Sequence, residues 1–258
     1  MEFGLNLYSI RKLIATEESF LETAKKLKDM GYSFMQFSGA PFDAQKIKRV
    51  SDESGLPVVL THVDIDRILN DTDKLIEEHN YFGCKNIGLG GMKNGVMKDD
   101  KTWKETLDKL NVVAEKIEKA GSKFFFHQHH YEFHAFEDGT LAFDYMLKNC
   151  PNINFTLDSY WIQYGGFNPL TFVDKVKGKM ECVHLKDYRI NRTITEEGKV
   201  ELRPKYAPCG CGNMEFLPII EKWKECGTKY FIVEQDDAST YPDPLGQVKL
   251  SIDYLKSL

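Results

Sequence analysis

Short apolar runs alternate with amphipathic segments along the whole chain. In the first pair, Phe3–Leu7 is strand-like, and Glu17–Met30 carries apolar residues at helical spacing before Gly31, a common helix stop. Eight such pairs follow one another without a change in composition. The predicted strands are Phe3–Leu7, Phe34–Phe37, Val58–His62, Asn86–Leu89, Lys123–Phe126, Asn154–Leu157, Glu181–Leu185 and Tyr230–Val233. The predicted helices are Glu17–Met30, Asp43–Ser54, Asp71–Phe82, Asp99–Ala120, Thr140–Asn149, Pro169–Val176, Met214–Cys226 and Pro244–Leu255.

Strands that alternate with helices predict a parallel sheet with right-handed crossovers. Eight units in 258 residues predict closure into a (β/α)₈ TIM barrel, an α/β fold, as a single domain over residues 1–258. An open doubly wound sheet is the alternative, but such a sheet often carries a glycine-rich loop after its first strand, and Asn6–Arg11 has no glycine. The connection Asp187–Cys211 is unusually long; we expect a surface loop, with a lid or a subunit contact as alternatives.

Composition excludes several classes of protein. The formal net charge is −5 and the charges are interspersed, so nucleic-acid binding is not expected. Six irregularly spaced cysteines indicate reduced thiols rather than a disulfide scaffold, although the Cys209–Cys211 pair could serve in a metal or redox site. No signal-like segment opens the chain, and no apolar run reaches the ~18 residues of a membrane span. We therefore expect a cytoplasmic protein without a membrane partner.

Acids and histidines are concentrated where the last four predicted strands end. The carboxyl ends of barrel strands form the active-site face, so these side chains should meet there. Converging charges would repel one another and lose hydration, and a bound cation is the simplest way to stabilise them. Five of the seven histidines lie at or near these ends: His127, His129, His130, His134 and His184.

The best ligand set for such a cation is one acid from the fifth strand together with Asp158, His184 and Glu234. Three carboxylates and one imidazole suit Mn²⁺ first, then Mg²⁺, with Co²⁺ and Zn²⁺ as alternatives. Taken singly, each residue has a structural interpretation. Asp158 could cap a helix, Glu234 could pair with Lys186, and His184 could be a hydrogen-bonded core histidine. Together they predict one divalent metal ion.

Five segments in family order resemble the xylose-isomerase-like TIM barrels, also called the sugar phosphate isomerase/epimerase superfamily. Phe126–Phe133 is similar to Y-H-N-H-x-x-E-F, Leu157–Trp161 to L-D-x-Y-W, Val183–Asp187 to V-H-L-K-D, Val233–Asp236 to V-E-Q-D, and Gly4–Arg11 to G-x-Q-L-Y-S-x-R. The resemblance implies a metal ion bound by Glu132, Asp158, His184 and Glu234.

The chain departs from the better-characterised sugar epimerases of this superfamily at two positions. Where they have a glutamate at the end of strand five, this chain has His127, so the fourth ligand is Glu132 from the following loop or, alternatively, His127 or His129. Where they have a histidine three residues after the strand-six aspartate, this chain has Trp161, which could stack on a sugar ring or pack at the rim.

The resemblance implies an isomerase or epimerase that moves a proton next to a carbonyl of a free or phosphorylated sugar, with a metal-stabilised enediolate. The candidate acid/base groups are Glu132, Glu234, His127, His129 and Lys186. The candidate substrate contacts are Tyr8, Arg11, Gln36, His62 and Trp161.

The main alternative function is that of a metal-dependent lyase or dehydratase on a keto-inositol, keto-sugar or 3-keto-glycoside. A DNA-repair endonuclease, which the acidic balance disfavours, and a silent sugar-binding barrel are further alternatives. A small carbohydrate is the expected partner, and a homo-oligomer is left open.

Overall fold

The computed structural model describes residues 1–258 and contains ten strands. They are β1 Phe3–Asn6, β2 Phe34–Phe37, β3 Val58–Val63, β4 Asn86–Leu89, β5 Lys123–His127, β6 Asn154–Asp158, β7 Cys182–Leu185, β8 Asp187–Ile194, β9 Val200–Ala207 and β10 Tyr230–Val233. Eight of them, all but β8 and β9, pair in parallel in chain order, and β10 pairs with β1 to close the ring. The predicted TIM barrel is confirmed.

Ten α-helices surround the barrel. They are α1 Glu17–Met30, α2 Ala44–Ser54, α3 Ile65–Asn70, α4 Thr72–Phe82, α5 Asp100–Lys119, α6 Ala142–Asn149, α7 Ser159–Tyr164, α8 Pro169–Phe172, α9 Phe216–Glu225 and α10 Pro244–Ser257. Four short 3₁₀ helices cover Leu7–Leu13, His130–Phe133, Val173–Val176 and Ala238–Thr240. The short helices α3 and α7 were not predicted. Each begins directly after a strand, because Asp64 and Asp158 accept backbone hydrogen bonds as N-caps. None of the helices has the length and apolar character required to cross a bilayer.

Side chains alternate between the two faces of each barrel strand, and this alternation places the site. Five buried side chains from five different strands form a separate apolar cluster inside the barrel: Phe34, Leu60, Phe125, Cys182 and Ile232. Two residues further along the same strands, towards their carboxyl ends, come Gln36, His62, His127, His184 and Glu234. Because the side-chain period of a strand is two, these polar groups point inwards as the next layer above the apolar cluster.

The sequence suggested a surface loop for the long connection after β7. The connection is largely exposed, as expected, but it forms an antiparallel hairpin of β8 and β9. The two strands pair from Asp187↔Ala207 to Ile194↔Val200. The hairpin was overlooked because charged residues interrupt its apolar positions.

The Asp187 carboxylate fixes the base of this hairpin. It accepts hydrogen bonds from the backbone N–H groups of Tyr188, Gly210, Gly212 and Met214 at 2.8–3.1 Å. A Cβ atom at Gly212 would lie 2.3 Å from Asp187 Oδ1, so this turn requires glycine. Nearby, Cys209 and Cys211 are free thiols, as are the other four cysteines.

Candidate metal centre

Four side chains converge at the carboxyl ends of neighbouring strands β5, β6, β7 and β10. One ligand atom from each of His127, Asp158, His184 and Glu234 lies within 4.8 Å of all the others, and all four residues are buried. His184 Nδ1 lies 2.8 Å from Glu234 Oε2 and 3.1 Å from His127 Nε2, which in turn is 3.5 Å from Asp158 Oδ2. A tetrahedral site with bonds of about 2.1 Å separates its ligand atoms by about 3.4 Å. The cluster therefore has the size of a single-cation site.

In each of the four residues, the atom that does not face the cluster is held by a second group. His127 Nδ1 lies 3.2 Å from Gly90 O, Trp161 N donates to Asp158 Oδ1 at 3.0 Å, His184 Nε2 lies 2.8 Å from Gln36 Oε1, and Asn6 Nδ2 donates to Glu234 Oε1 at 2.7 Å. Such outer partners fix the tautomers and orientations of metal ligands.

The carboxylate oxygens that face the cluster are not satisfied by hydrogen bonds. Asp158 Oδ2 and Glu234 Oε2 are buried and have no hydrogen bond of good geometry; Lys186 Nζ lies 3.1 Å from each of them, and His184 Nδ1 lies 2.8 Å from Glu234 Oε2. One ammonium group cannot neutralise two buried carboxylates, whereas a divalent cation between them would. These donors fit a divalent metal ion.

Lys186 is the one ammonium group beside the cluster. Its Nζ atom is buried and lies 3.1 Å from an oxygen of each of Asp158, Glu234 and Asp236. Burial disfavours the charge, but the three carboxylates raise the pKa of Lys186 well above its usual value. Lys186 is therefore charged, and it pairs with Glu234, as one interpretation of the sequence suggested.

The same charges set the protonation of the cluster itself. Burial opposes ionisation of Asp158 and Glu234, yet Lys186 and the histidines hold the pKa of both carboxyl groups well below the usual range. Burial also works against a charged His184, but Glu234 and Asp158 raise its pKa to about 9. Both carboxylates are consequently ionised at neutral pH, as metal ligands must be.

The structure does not bring Glu132 into this cluster. The side chain is fully buried; Oε2 accepts a hydrogen bond from His129 N at 2.7 Å, and Oε1 has no partner. Burial raises the pKa of Glu132 well above its usual value. Glu132 thus holds the start of the 3₁₀ helix His130–Phe133. The fourth member of the cluster is His127, one of the two alternatives that the sequence offered.

A cavity of about 290 Å³ opens beside the cluster. One wall, above β1 to β4, consists of Tyr8, Ser38, Gly39, His62 and Gly90. The other wall consists of His129, Lys186 and Asp236 together with the cluster residues His127 and Glu234. This volume is at the lower end for ligand pockets, so the cavity suits a small molecule.

Of the predicted substrate contacts, Tyr8 and His62 line the cavity and three others do not. Gln36 is fully buried between two histidines, with Nε2 3.0 Å from His62 Nε2 and Oε1 2.8 Å from His184 Nε2. Trp161 packs against His129 and under Lys186. Arg11 donates from Nη1 to the Tyr8 and Asp236 carbonyl oxygens.

Sequence reasoning assigned no role to several residues of this site. Asn6 holds Glu234, while Ser38 and Asp236 line the cavity. The hairpin also adds Tyr206, whose ring lies 5.6 Å from Lys186 Nζ. The inward alternation along β1 was a usable signal for Asn6. No comparable signal exists for Tyr206, which is distant in sequence from every barrel strand.

Several known proteins are similar to this chain. A curated inosose dehydratase from Geobacillus kaustophilus (strain HTA426) is 25% identical over 173 residues, which cover 62% of this chain and 54% of that protein. The chain thus spans about half the length of this curated relative. A sugar phosphate isomerase/epimerase structure from Parabacteroides distasonis ATCC 8503 superposes with a TM-score of 0.79 at 22% identity, covering 100% of this chain and 98% of that chain.

A second structure, 3-keto-D-glucoside 4-epimerase from E. coli, superposes with a TM-score of 0.70 at 16% identity and covers 100% of both chains. At these identities the superpositions show a shared fold. The model of the xylose isomerase-like TIM barrel family matches residues 24–258, nearly the whole chain. The chain belongs to the xylose isomerase-like TIM barrel family.

Proposed function

We propose that this protein is a divalent-metal-dependent isomerase or epimerase that acts on a small carbohydrate. One observation carries the proposal: four ligand atoms, each oriented by an outer hydrogen-bond partner, converge beside a small cavity lined by proton-transfer groups. The names of the similar P. distasonis and E. coli proteins support the same class of reaction.

The residues that would hold the metal ion are His127, Asp158, His184 and Glu234. Two imidazoles and two carboxylates are a softer donor set than the three carboxylates and one imidazole expected from the sequence. This set still suits Mn²⁺, and it favours Co²⁺ or Zn²⁺ over Mg²⁺ more than the predicted set does. When bound, the ion would polarise the substrate carbonyl and stabilise the negative charge that develops on its oxygen.

His129 is the best placed group to remove the proton next to the carbonyl. It lines the cavity, and burial together with nearby His127 and Lys186 lowers its pKa well below the usual value, so it is neutral. His129 Nδ1 lies 3.1 Å from Tyr131 Oη. When Nδ1 donates its hydrogen there, Nε2 keeps a free lone pair that can accept a proton from carbon.

Asp236 is the second group in the cavity that can exchange a proton. Burial raises its pKa above the usual value, against the opposing effect of Lys186. Epimerisation needs a group that returns the proton to the opposite face of the carbon, and a cavity-lining carboxyl group with a raised pKa suits that role. Lys186 keeps its proton and stabilises negative charge.

Elimination of water is the second candidate function. It begins with the same proton abstraction, and the curated relative is an inosose dehydratase. In the elimination reaction, Asp236 would protonate the departing hydroxyl group instead of the carbon. The two functions therefore differ only in where the second proton goes.

Product analysis in D₂O separates and tests both functions. Manganese-loaded and chelator-treated protein are incubated with ketoses, inososes and 3-keto-glycosides, and the products are analysed by NMR and mass spectrometry. An isomer that carries one deuterium supports isomerisation or epimerisation, whereas loss of water supports the dehydratase. Absence of metal-dependent exchange with every substrate would contradict the proposal.

A matched pair of variants tests the assigned base. His129→Gln should slow solvent exchange by about 10² to 10⁴-fold, the usual contribution of a general base. His130→Gln removes the neighbouring, exposed histidine and should leave exchange near the wild-type rate.

A further inference from the structure

The cavity contains no positive charge that is free to bind an anion. Its only cationic lining residue is Lys186, whose Nζ atom already contacts Asp158, Glu234 and Asp236 at 3.1 Å. Three carboxylates around one ammonium group leave two net negative charges, which a divalent cation would just neutralise. Recognition of a phosphate dianion requires charge-assisted donors beyond this balance.

Arg11 contacts two residues that line the cavity, Tyr8 and Asp236, but its own side chain is held by other groups. Its Nη1 atom donates to the carbonyl oxygens of Tyr8 at 2.8 Å and Asp236 at 2.9 Å. The guanidinium group lies over the Tyr8 ring, 4.1 Å from its centroid. Arg11 therefore ties β1 to the loop after β10 and does not line the cavity.

Of the two loops that often bind phosphate in TIM barrels, the one after the eighth barrel strand is acidic here. Such phosphate sites are commonly formed after the seventh and eighth barrel strands, with the N-terminus of a short helix. The eighth barrel strand, β10, is followed by Asp236 and Asp237, and Asp237 stands immediately before the short helix Ala238–Thr240. A phosphate group at this position would lie against the Asp236 carboxylate, which lines the cavity.

The opposite wall offers neutral donors and space. Tyr8, Ser38 and His62 can hydrogen-bond to hydroxyl groups, while Gly39 and Gly90 leave room beside them. A Cβ atom at Gly90 would lie 2.9 Å from His62 Nδ1, so only glycine lets His62 keep its place in this wall. Neutral donors of this kind bind hydroxyls well and phosphates weakly.

We infer that the substrate is an unphosphorylated carbohydrate, an uncharged ketose, inosose or keto-glycoside rather than a sugar phosphate. The inference rests on the proposed function, since it specifies the substrate class of the same cavity. It follows from the contacts that already occupy the side chains of Lys186 and Arg11, and from the acidic residues after β10.

The test compares matched pairs on the manganese-loaded protein: D-fructose with D-fructose 6-phosphate, and D-ribulose with D-ribulose 5-phosphate. Binding of both phosphate esters is measured by calorimetry, independently of turnover. We expect no saturable binding of either ester up to about 10 mM, and a saturable 1:1 isotherm within this concentration range would overturn the inference. Where turnover occurs, kcat/KM for the neutral sugar should exceed that for its ester by about 100-fold or more, and a preference for the ester would overturn it.

A variant that adds a positive charge to the cavity tests the same inference through a gain of phosphate binding. Tyr8→Lys places a free ammonium group on the lining at a partly exposed position, and Tyr8→Gln is the uncharged control. The lysine variant should bind D-fructose 6-phosphate about 10-fold or more tightly than the glutamine variant. Equal binding by the two variants would show that missing charge is not what excludes the phosphate, and would overturn the inference. Absence of any turnover would count against the proposed function only, because the binding arm decides the substrate charge by itself.

Discussion

Gln36 should control metal affinity without touching the metal ion. Its amide is fully buried, with Oε1 2.8 Å from His184 Nε2 and Nε2 3.0 Å from His62 Nε2. Because His184 Nε2 donates its hydrogen to Gln36, Nδ1 is left as the atom that faces the cluster. Gln36→Leu keeps the approximate volume of the side chain and removes both hydrogen bonds.

The expected magnitude follows from these two contacts. Loss of an outer partner of a metal ligand typically weakens binding by about 10 to 100-fold, or about 1.4 to 2.8 kcal/mol. Each nitrogen left unpaired in the buried site should also cost about 1 to 3 kcal/mol in the free energy of unfolding. The variant should therefore lose both metal affinity and stability.

Titration calorimetry of chelator-treated protein with Mn²⁺ measures the first effect, and urea denaturation without metal measures the second. Asn86→Leu is the matched control, because Asn86 is a buried amide on β4 that donates to Val59 O at 2.7 Å, outside the metal-ligand cluster. The control should lose stability and retain its affinity for Mn²⁺. The reasoning is refuted if Gln36→Leu binds Mn²⁺ within about twofold of the wild type, or if Asn86→Leu weakens binding equally.

Three further predictions concern residues outside the cluster. Burial lowers the pKa of His79 from 6.5 to about 4, so between these pH values only the unfolded chain takes up its proton. The free energy of unfolding should then fall by about 1.4 kcal/mol per pH unit from pH 6.5 towards 4, and urea denaturation of His79→Phe should show a shallower decline. Asp187→Ala should cost about 2 to 4 kcal/mol and accelerate hydrogen exchange at residues 210–214, which lose their shared acceptor; unchanged exchange there would contradict the assignment. Glu132→Gln should retain Mn²⁺ affinity within about twofold by calorimetry, since Gln can still accept from His129 N, whereas a true ligand would lose far more.

The barrel was predictable because the sequence patterns of its strands and helices are local and recur in each of the eight units. Each strand is an apolar run, each helix has an amphipathic period, and glycines such as Gly31, Gly55 and Gly83 end helices in the left-handed conformation. The strand ends also predicted where Asp158, His184 and Glu234 would meet. Their side chains follow the inward alternation of the strands, which the sequence displays.

The fourth cluster residue was harder to predict because two interpretations competed. The motif suggested Glu132, while strand alternation places His127 inwards directly above Phe125. Position in the strand decides the geometry, and Glu132 turns instead to cap its own 3₁₀ helix. Lys186 and Asp236 could be named as polar strand ends, but their mutual ion pair depends on the pairing of β7 with β10, which are separated along the chain by residues 186–229 and are adjacent only in the folded sheet.

An anomalous-difference map from a crystal of this protein soaked in Mn²⁺ is the most direct test of the metal centre. We expect one strong peak, bonded to His127 Nε2, Asp158 Oδ2, His184 Nδ1 and Glu234 Oε2 at about 2.1 Å each. A map with no peak among these atoms, or with the ion held by Glu132 in place of His127, would contradict the proposed site.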